Sequence, residues 1–495
     1  MENINNKIVK GAAWMLFLRL SVKSIGFVST LVLARLLIPE DFGIVALAMS
    51  IFALIELIQG FSFGVALIQN QQATNKHFDT AWTLQLLFGL VAGLLILSVS
   101  APVSTYYDEP KLFWVLNFMS LLFVIDGFKN IGIIFFQKDM EFHKEFKFGI
   151  IVKLVGFFVT IPLAFCLRSY WALLLGMLSL SMTTVILSYT MQAYRPTFTL
   201  NKSKELFGFS SWLLLNNILF YIGNNAQNFL LAKHMGLGSL GIFNISNEIS
   251  TLTTAEIVAP INKAAYPAYS KVAKALEKLR ETYLNVLSGI ALIAIPSAVG
   301  ISAVAPVLIP VMLGDKWLEA IAIVQLIALA SAIQAINTNS SYVYLAIARQ
   351  KINTLLIIIR LSILLSLMVH YVTSEGIYGV AKAILITQII MMPMSQFILK
   401  FHINLSLLGV LNVLYRPIIS SAMMYAILYG LVESHHYVNA SLDAIVYLIY
   451  LVLVGLVTYI ASTGVLWLLA GRPACLEVSF FFKLKTLLKN KLQTL

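Results

Sequence analysis

The chain holds 495 residues, 59% of them hydrophobic and 11% charged, with a formal net charge of +12. A mean hydropathy of +0.88 excludes a soluble domain, and the lack of short alternating apolar segments excludes a transmembrane β-barrel. The basic surplus does not imply a nucleic-acid partner, because the basic residues gather in the loops of one side.

Apolar runs of about 18 residues or more recur along the chain, each long enough to cross a bilayer. In chain order they predict helices over 12–38, 42–68, 80–103, 112–136, 148–167 and 170–192. The second half predicts 207–232, 240–262, 283–311, 318–345, 354–372 and 377–399, and a last pair covers 413–432 and 442–469. The first run follows Lys7 and Lys10, carries Arg19, Lys23 and Arg35, and lacks a small-x-small cleavage site. It reads as a retained helix rather than a signal peptide.

The stretch Leu33 to Gly43 (LARLLIPEDFG) joins the first two predicted spans. Pro39 disfavours helix at Ile38, while Glu40 and Asp41 suit the positive end of the next helix. With the N-terminus inside, the inner loops carry Lys138, Lys144, Lys147, Arg195, Lys202, Lys204 and the basic run Lys263 to Arg280. The outer loops carry Lys111, Arg168, Lys233 and Lys316. This bias predicts fourteen helices with both termini cytoplasmic. Cys166 and Cys475 then fall on opposite sides, so neither a disulfide nor a cysteine metal site is expected.

An offset of 198 residues aligns Trp14 with Trp212, Leu33 with Leu231, Ala34 with Ala232, Arg35 with Lys233 and Gly43 with Gly241. Both copies start odd-numbered helices from the cytoplasm, so the repeat is parallel. It predicts two six-helix lobes, 1–200 and 201–400, followed by two extra helices in 401–472. The segment 473–495 is a basic amphipathic tail, read like Lys263 to Arg280 as an interfacial helix drawn to anionic lipids.

LARLLIPEDFGIVALA resembles the start of bacterial polysaccharide transporters of the multidrug/oligosaccharidyl-lipid/polysaccharide superfamily. LGSLGIFNIS and INKAAYPAYSKV are similar to later signatures of that family. The resemblance covers essentially the whole chain. It implies a Wzx-type flippase that alternates between inward- and outward-open states. Its cargo would be an undecaprenyl-diphosphate-linked oligosaccharide bound for O-antigen, capsule or exopolysaccharide. The implied location is the bacterial inner membrane, beside other polysaccharide assembly proteins. Where many relatives carry an acid early in helix seven, this chain has Asn216, Asn217, Asn224, Asn225 and Gln227.

Charges inside predicted spans are the site candidates, because each costs at least about 2.5–3.5 kcal/mol at mid-bilayer. Arg19 and Lys23 share one face of helix one and suit a diphosphate, or else pair with Glu56. Arg360 is the basic candidate of the second lobe. Asn224 and Asn225 suit sugar hydroxyls, or else glue helices together. Glu56, Asp126, Glu248 and Glu256 are candidates for coupling to H+ or Na+, against permanent pairing. Lys129 is a partner for Asp126, and Arg35, Lys153 and Lys382 read as snorkelling residues. No nucleotide-binding loop is found, and no cofactor or metal is expected. The competing functions are a cation-coupled multidrug exporter and a membrane polysaccharide polymerase or glycosyltransferase. The second would need a large outer loop, where only His435 and His436 are suggestive.

Overall fold

The computed structural model describes residues 4–58, 64, 67–68, 70, 72–206, 211–434 and 442–471. Among them the chain is helical throughout its long elements, without a β-strand. The first six helices are α1 (Ile4–Leu36), α2 (Pro39–Ile58), α3 (Asn75–Tyr106), α4 (Pro110–Gly127), α5 (Phe142–Leu167) and α6 (Trp171–Thr190). Next comes a continuous stretch, Ser211–Val272, of 62 residues. As one rod it would run about 93 Å, three times the hydrocarbon thickness of a bilayer. It turns at Gly236, whose φ of 79° and ψ of 178° are closed to an ordinary residue in a helix. The turn divides it into α7 (211–235) and α8 (237–272).

The chain continues through α9 (Leu276–Met312) and α10 (Ala320–Ala346). Gln350–Ile403 bends in the same way at Gly376 (φ 61°) into α11 (350–375) and α12 (377–403). The last two helices are α13 (Leu407–Ser434) and α14 (Leu442–Leu469). Among the described residues ten helical stretches are long and apolar enough to cross a membrane, the bent Gln350–Ile403 being one of them. The molecule is an all-α, multi-pass membrane protein, with fourteen long helices among the described residues.

Two sequence expectations need correction. The fourth helix ends at Gly127, not at 136. There the Gln85 amide of α3 donates to the carbonyls of Asp126, Gly127 and Lys129 at 3.2, 3.1 and 2.9 Å, satisfying the helix end. Buried Asn130 then accepts from the Gly132 N–H and donates to the Tyr194 carbonyl, starting a new turn. Lys129 therefore lies beyond the helix rather than within a span. The run Lys263 to Arg280 is likewise no separate interfacial helix. α8 continues to Val272 and α9 starts at Leu276, so Lys271, Lys274 and Lys278 flank a tight turn.

The chain forms two compact units, Met1–Gly241 and Ile242–Leu495. In the first, α1 lies on α5, with Trp14 and Phe17 set against the Phe146 ring at 4.9 and 5.2 Å. Leu33 and Leu37 pack on Ala164 and Ala172, which ties the α1–α2 hairpin to α5 and α6. The Asp41 carboxylate secures that hairpin, accepting from the Ile38 and Tyr170 N–H groups at 3.3 and 2.9 Å. In the second unit α9 is central. One end packs Tyr283, Leu287 and Ala291 against α8, α10, α11 and α12. The other packs Ala303, Val307 and Val311 against Met424 and Leu428 of α13 and Tyr447 and Leu451 of α14.

Candidate functional site

In the first unit Arg19 and Lys23 stand one turn apart on α1, both exposed along a helix that is itself little covered by protein. Lys153 of α5 comes to the same side of α1 as Arg19, and the two border one cavity. On α2, Glu56 is exposed and lies within electrostatic reach of Asp126 on α4. Asp126 is hydrogen-bonded to Ser181 of α6 and attracted by Lys129. The fold thus gathers two of the four candidate acids and one cation into a single cluster, built from α2, the end of α4, and α6.

The amides of α7 divide. Asn224 is exposed, and its carbonyl accepts the Gln227 side-chain amide. The Asn225 amide bonds one turn back, to the Tyr221 carbonyl at 3.0 Å. The side chains of Asn216 and Trp212 lie outside the described residues, as do Phe61 and Phe63, two aromatics of the predicted span 42–68 that could stack on sugars or simply pack, and His435, His436, Cys475 and the tail from 473.

Asn228, which the sequence reading passed over, is the buried amide. It donates to the Ser50 hydroxyl of α2 at 2.8 Å, while the Tyr221 hydroxyl donates to the Ser50 carbonyl at 2.6 Å. Tyr221 and Asn228 are seven apart and share a helix face. That spacing was the available signal.

In the second unit Glu248 is exposed and Glu256 half-buried, both on α8. Arg360 is half-buried on α11, and its Nε is enclosed without a hydrogen bond among the described residues. Lys382 does more than snorkel: it pairs with Glu375 at 2.7 Å and lies over the Tyr371 ring at 4.9 Å.

A polar network unforeseen from the sequence staples α8, α9, α10 and α12. The Tyr283 hydroxyl donates to Gln396 at 2.8 Å and meets the Ser340 hydroxyl at 3.1 Å. The Tyr269 hydroxyl donates to Asn339 at 2.8 Å, and Ser395 donates to Asn337 at 3.0 Å. Such bonds between membrane helices contribute about 0.6 kcal/mol each on average.

A multi-pass helical protein whose spans carry acids, cations and paired amides is a membrane transporter in class. Comparison with known proteins makes this specific. The chain belongs to the polysaccharide biosynthesis protein family, whose model matches residues 32–322. It is 24% identical to the lipopolysaccharide biosynthesis protein WzxC of Escherichia coli K12, over 80% of this chain and 82% of that protein.

Among solved structures it resembles the lipid II flippase MurJ in its inward closed conformation. The TM-score is 0.73 at 13% identity, covering 93% of this chain and 99% of the other. An inward-facing multidrug resistance transporter of the MATE family matches at a TM-score of 0.58 and 14% identity, covering 79% of this chain and 99% of the other.

Proposed function

We propose that this protein is a flippase that carries an undecaprenyl-diphosphate-linked oligosaccharide across the bacterial cytoplasmic membrane for surface polysaccharide export. The reading rests on one observation above all. The chain shares its fold over 93% of its length, and over 99% of the other chain, with a lipid II flippase. The multidrug transporter matches 79%, which makes that alternative the weaker one.

In this reading the protein is a transporter, not an enzyme, with both termini cytoplasmic. The repeated segments 1–200 and 201–400 act as two lobes in alternating access. Arg19 and Lys23 offset the diphosphate charge, helped by Arg360. Lysine serves as a point charge and arginine as a two-pronged donor. Asn224 and Asn225 face sugar hydroxyls. Glu56, Asp126, Glu248 and Glu256 supply proton- or sodium-binding carboxylates. Of these, Glu56 and Asp126 have the best-supported part, because the fold brings the two carboxylates within electrostatic reach of one another.

Deleting the gene in its host should abolish surface polysaccharide while lipid-linked repeat units accumulate inside. Wild type should restore export, and Lys23→Ala or Arg19→Ala at matched expression should restore it poorly, about tenfold less for each lost charge-assisted contact. Normal polysaccharide in the deletion strain, together with raised drug sensitivity, would replace this reading with the multidrug exporter.

A further inference from the structure

Residues 192–200, which follow α6, run without helix, and Thr197, Phe198, Thr199 and Leu200 alternate polar with apolar. In extended backbone that alternation sets Phe198 and Leu200 on one side and the threonines on the other. The Thr197 and Thr199 N–H groups donate to the Asp79 carboxylate and the Thr83 hydroxyl of α3 at 2.9 and 3.1 Å. The Lys202 N–H then donates to the Thr80 hydroxyl at 3.3 Å. The segment is therefore a loop that runs along α3, reaches Thr83 at its tip and turns back. At that tip the Phe198 ring meets Trp82 at 4.9 Å yet stays 72% exposed, and Leu200 is 49% exposed.

The position of the tip on α3 says what covers these two side chains. Asp79, Thr83, Leu87, Leu90 and Leu94 follow one another at spacings of four, four, three and four, so they form one stripe along the helix. The loop covers the polar start of the stripe, and Thr83 is buried beneath it. Beyond the loop the stripe turns apolar and bare, with Leu87, Leu90 and Leu94 all exposed, as lipid-facing side chains of a span are. Phe198 and Leu200 stand one helical turn, about 5.4 Å, before the first of these leucines.

Helix α3 has 32 residues, so it is about 48 Å long against about 30 Å of hydrocarbon. Its first turns therefore stand in the headgroup layer, where water reaches irregular backbone and makes it tolerable. Farther out, the Tyr194 hydroxyl donates to Asp79, and exposed Arg195 is held by the carbonyls of Gln192 and Tyr194 at 2.6 and 3.0 Å. A cation outside and an aromatic and a leucine inside is the order that suits a leaflet with anionic headgroups. A protein partner seated on the tip would also have to cover Leu87 to Leu94, which a bilayer covers without one.

We infer that the loop 192–202 is a membrane-surface anchor whose backbone caps the polar foot of α3 while Phe198 and Leu200 sink into the adjoining lipid leaflet. In the proposed topology that leaflet is the cytoplasmic one. The partner is the bilayer itself, so the inference stands apart from the choice of cargo.

The test uses the full chain in liposomes at high lipid excess, with Cys166 and Cys475 replaced by serine and one nitroxide label on a new cysteine. Phe198→Cys and Leu200→Cys carry the test labels. Leu94→Cys, on the bare part of the stripe, is the lipid reference, and Lys274→Cys, exposed between α8 and α9, is the water reference. Collisions with oxygen, which concentrates in lipid, and with a nickel chelate, which stays in water, are read by power saturation. Both test labels should give an oxygen-to-nickel ratio nearer to that of position 94 than to that of 274. Neither replaced side chain can hydrogen-bond, so the backbone bonds of the loop to Asp79, Thr80 and Thr83 persist in both variants.

A water-like ratio at either position would overturn the anchor. Shielding from both reagents would overturn it too, because protein and not lipid would then cover the tip. Polysaccharide export is a separate readout, which decides the flippase reading and leaves this assignment untouched.

Discussion

Gly43 and Gly241 occupy the same place in two copies of a repeat, and the fold presses them together. A β-carbon on Gly43 would stand 1.9 Å from the Leu237 carbonyl oxygen. A β-carbon on Gly241 would stand 1.9 Å from the Pro39 carbonyl oxygen. Leu237 is Pro39 shifted by the same 198 residues, so the contact is reciprocal, as at a two-fold interface. The obstacle in each case is backbone, which cannot rotate aside. Gly43→Ala and Gly241→Ala should each cost about 1–3 kcal/mol through overpacking, outweighing the gain of up to about 1 kcal/mol in helix propensity. A thermal melt of the purified protein should show a lowered midpoint for either variant. Unchanged midpoints would mean that the two hairpins do not meet at the glycines. The repeat was legible in the sequence because matching residues keep a constant offset. Contact between the copies was not, since an offset says which positions correspond and nothing about what they touch.

Among the elements, helix number and approximate position were legible because a bilayer demands long apolar runs. Helix ends were not, because side chains from elsewhere in the fold set them, as Gln85 does for α4. The network around Tyr283 was hidden for a related reason. Its members are divided among α8, α9, α10 and α12, so no periodic pattern along one helix announces them.

The segment after α6 shows the same effect outside the membrane. It is strapped to the start of α3: the Thr197 and Thr199 N–H groups donate to Asp79 and Thr83 at 2.9 and 3.1 Å. The Tyr194 hydroxyl also donates to Asp79. At its end Glu205 meets Lys202 at 2.5 Å and His77 at 2.9 Å. The Thr74 N–H donates to His77 Nδ1, so Nε2 carries the proton and donates to Glu205.

Lys202 first, and His77 second, hold the Glu205 carboxyl below its ordinary value. A depressed carboxylate stabilises the fold above its unfolded pKa, and that contribution is lost as pH falls through the folded value. Amide exchange over 197–202, normalised to intrinsic rates, should therefore quicken as pH drops below the usual glutamate range. In Glu205→Gln it should already be fast at pH 7. Protection that ignores pH and survives Glu205→Gln would show that the strap does not depend on this carboxylate.

At the scale of the whole molecule, α13 and α14 were read from the sequence as an addition to two repeated lobes, and their packing gives them a structural part. They cover the end of α9 that carries Ala303, Val307 and Val311. The Tyr459 hydroxyl of α14 donates to the Leu292 carbonyl of α9 at 3.0 Å, and Tyr447 donates to the α13 carbonyl of Leu431 at 2.7 Å. In a bilayer, uncovering an apolar face carries little hydrophobic penalty, because lipid tails are as apolar as the helices removed. What is lost is close packing and the bonds between helices. A chain stopped after Asn404, where α12 ends, should therefore still insert, since insertion follows the hydropathy of each helix. It should nevertheless melt at a lower temperature than the full chain once purified. Each deleted contact is weak, so the shift measures their sum along α9. Equal melting temperatures would make the pair a true appendix, and failure to insert would show that α9 needs its neighbours already at the stage of membrane entry.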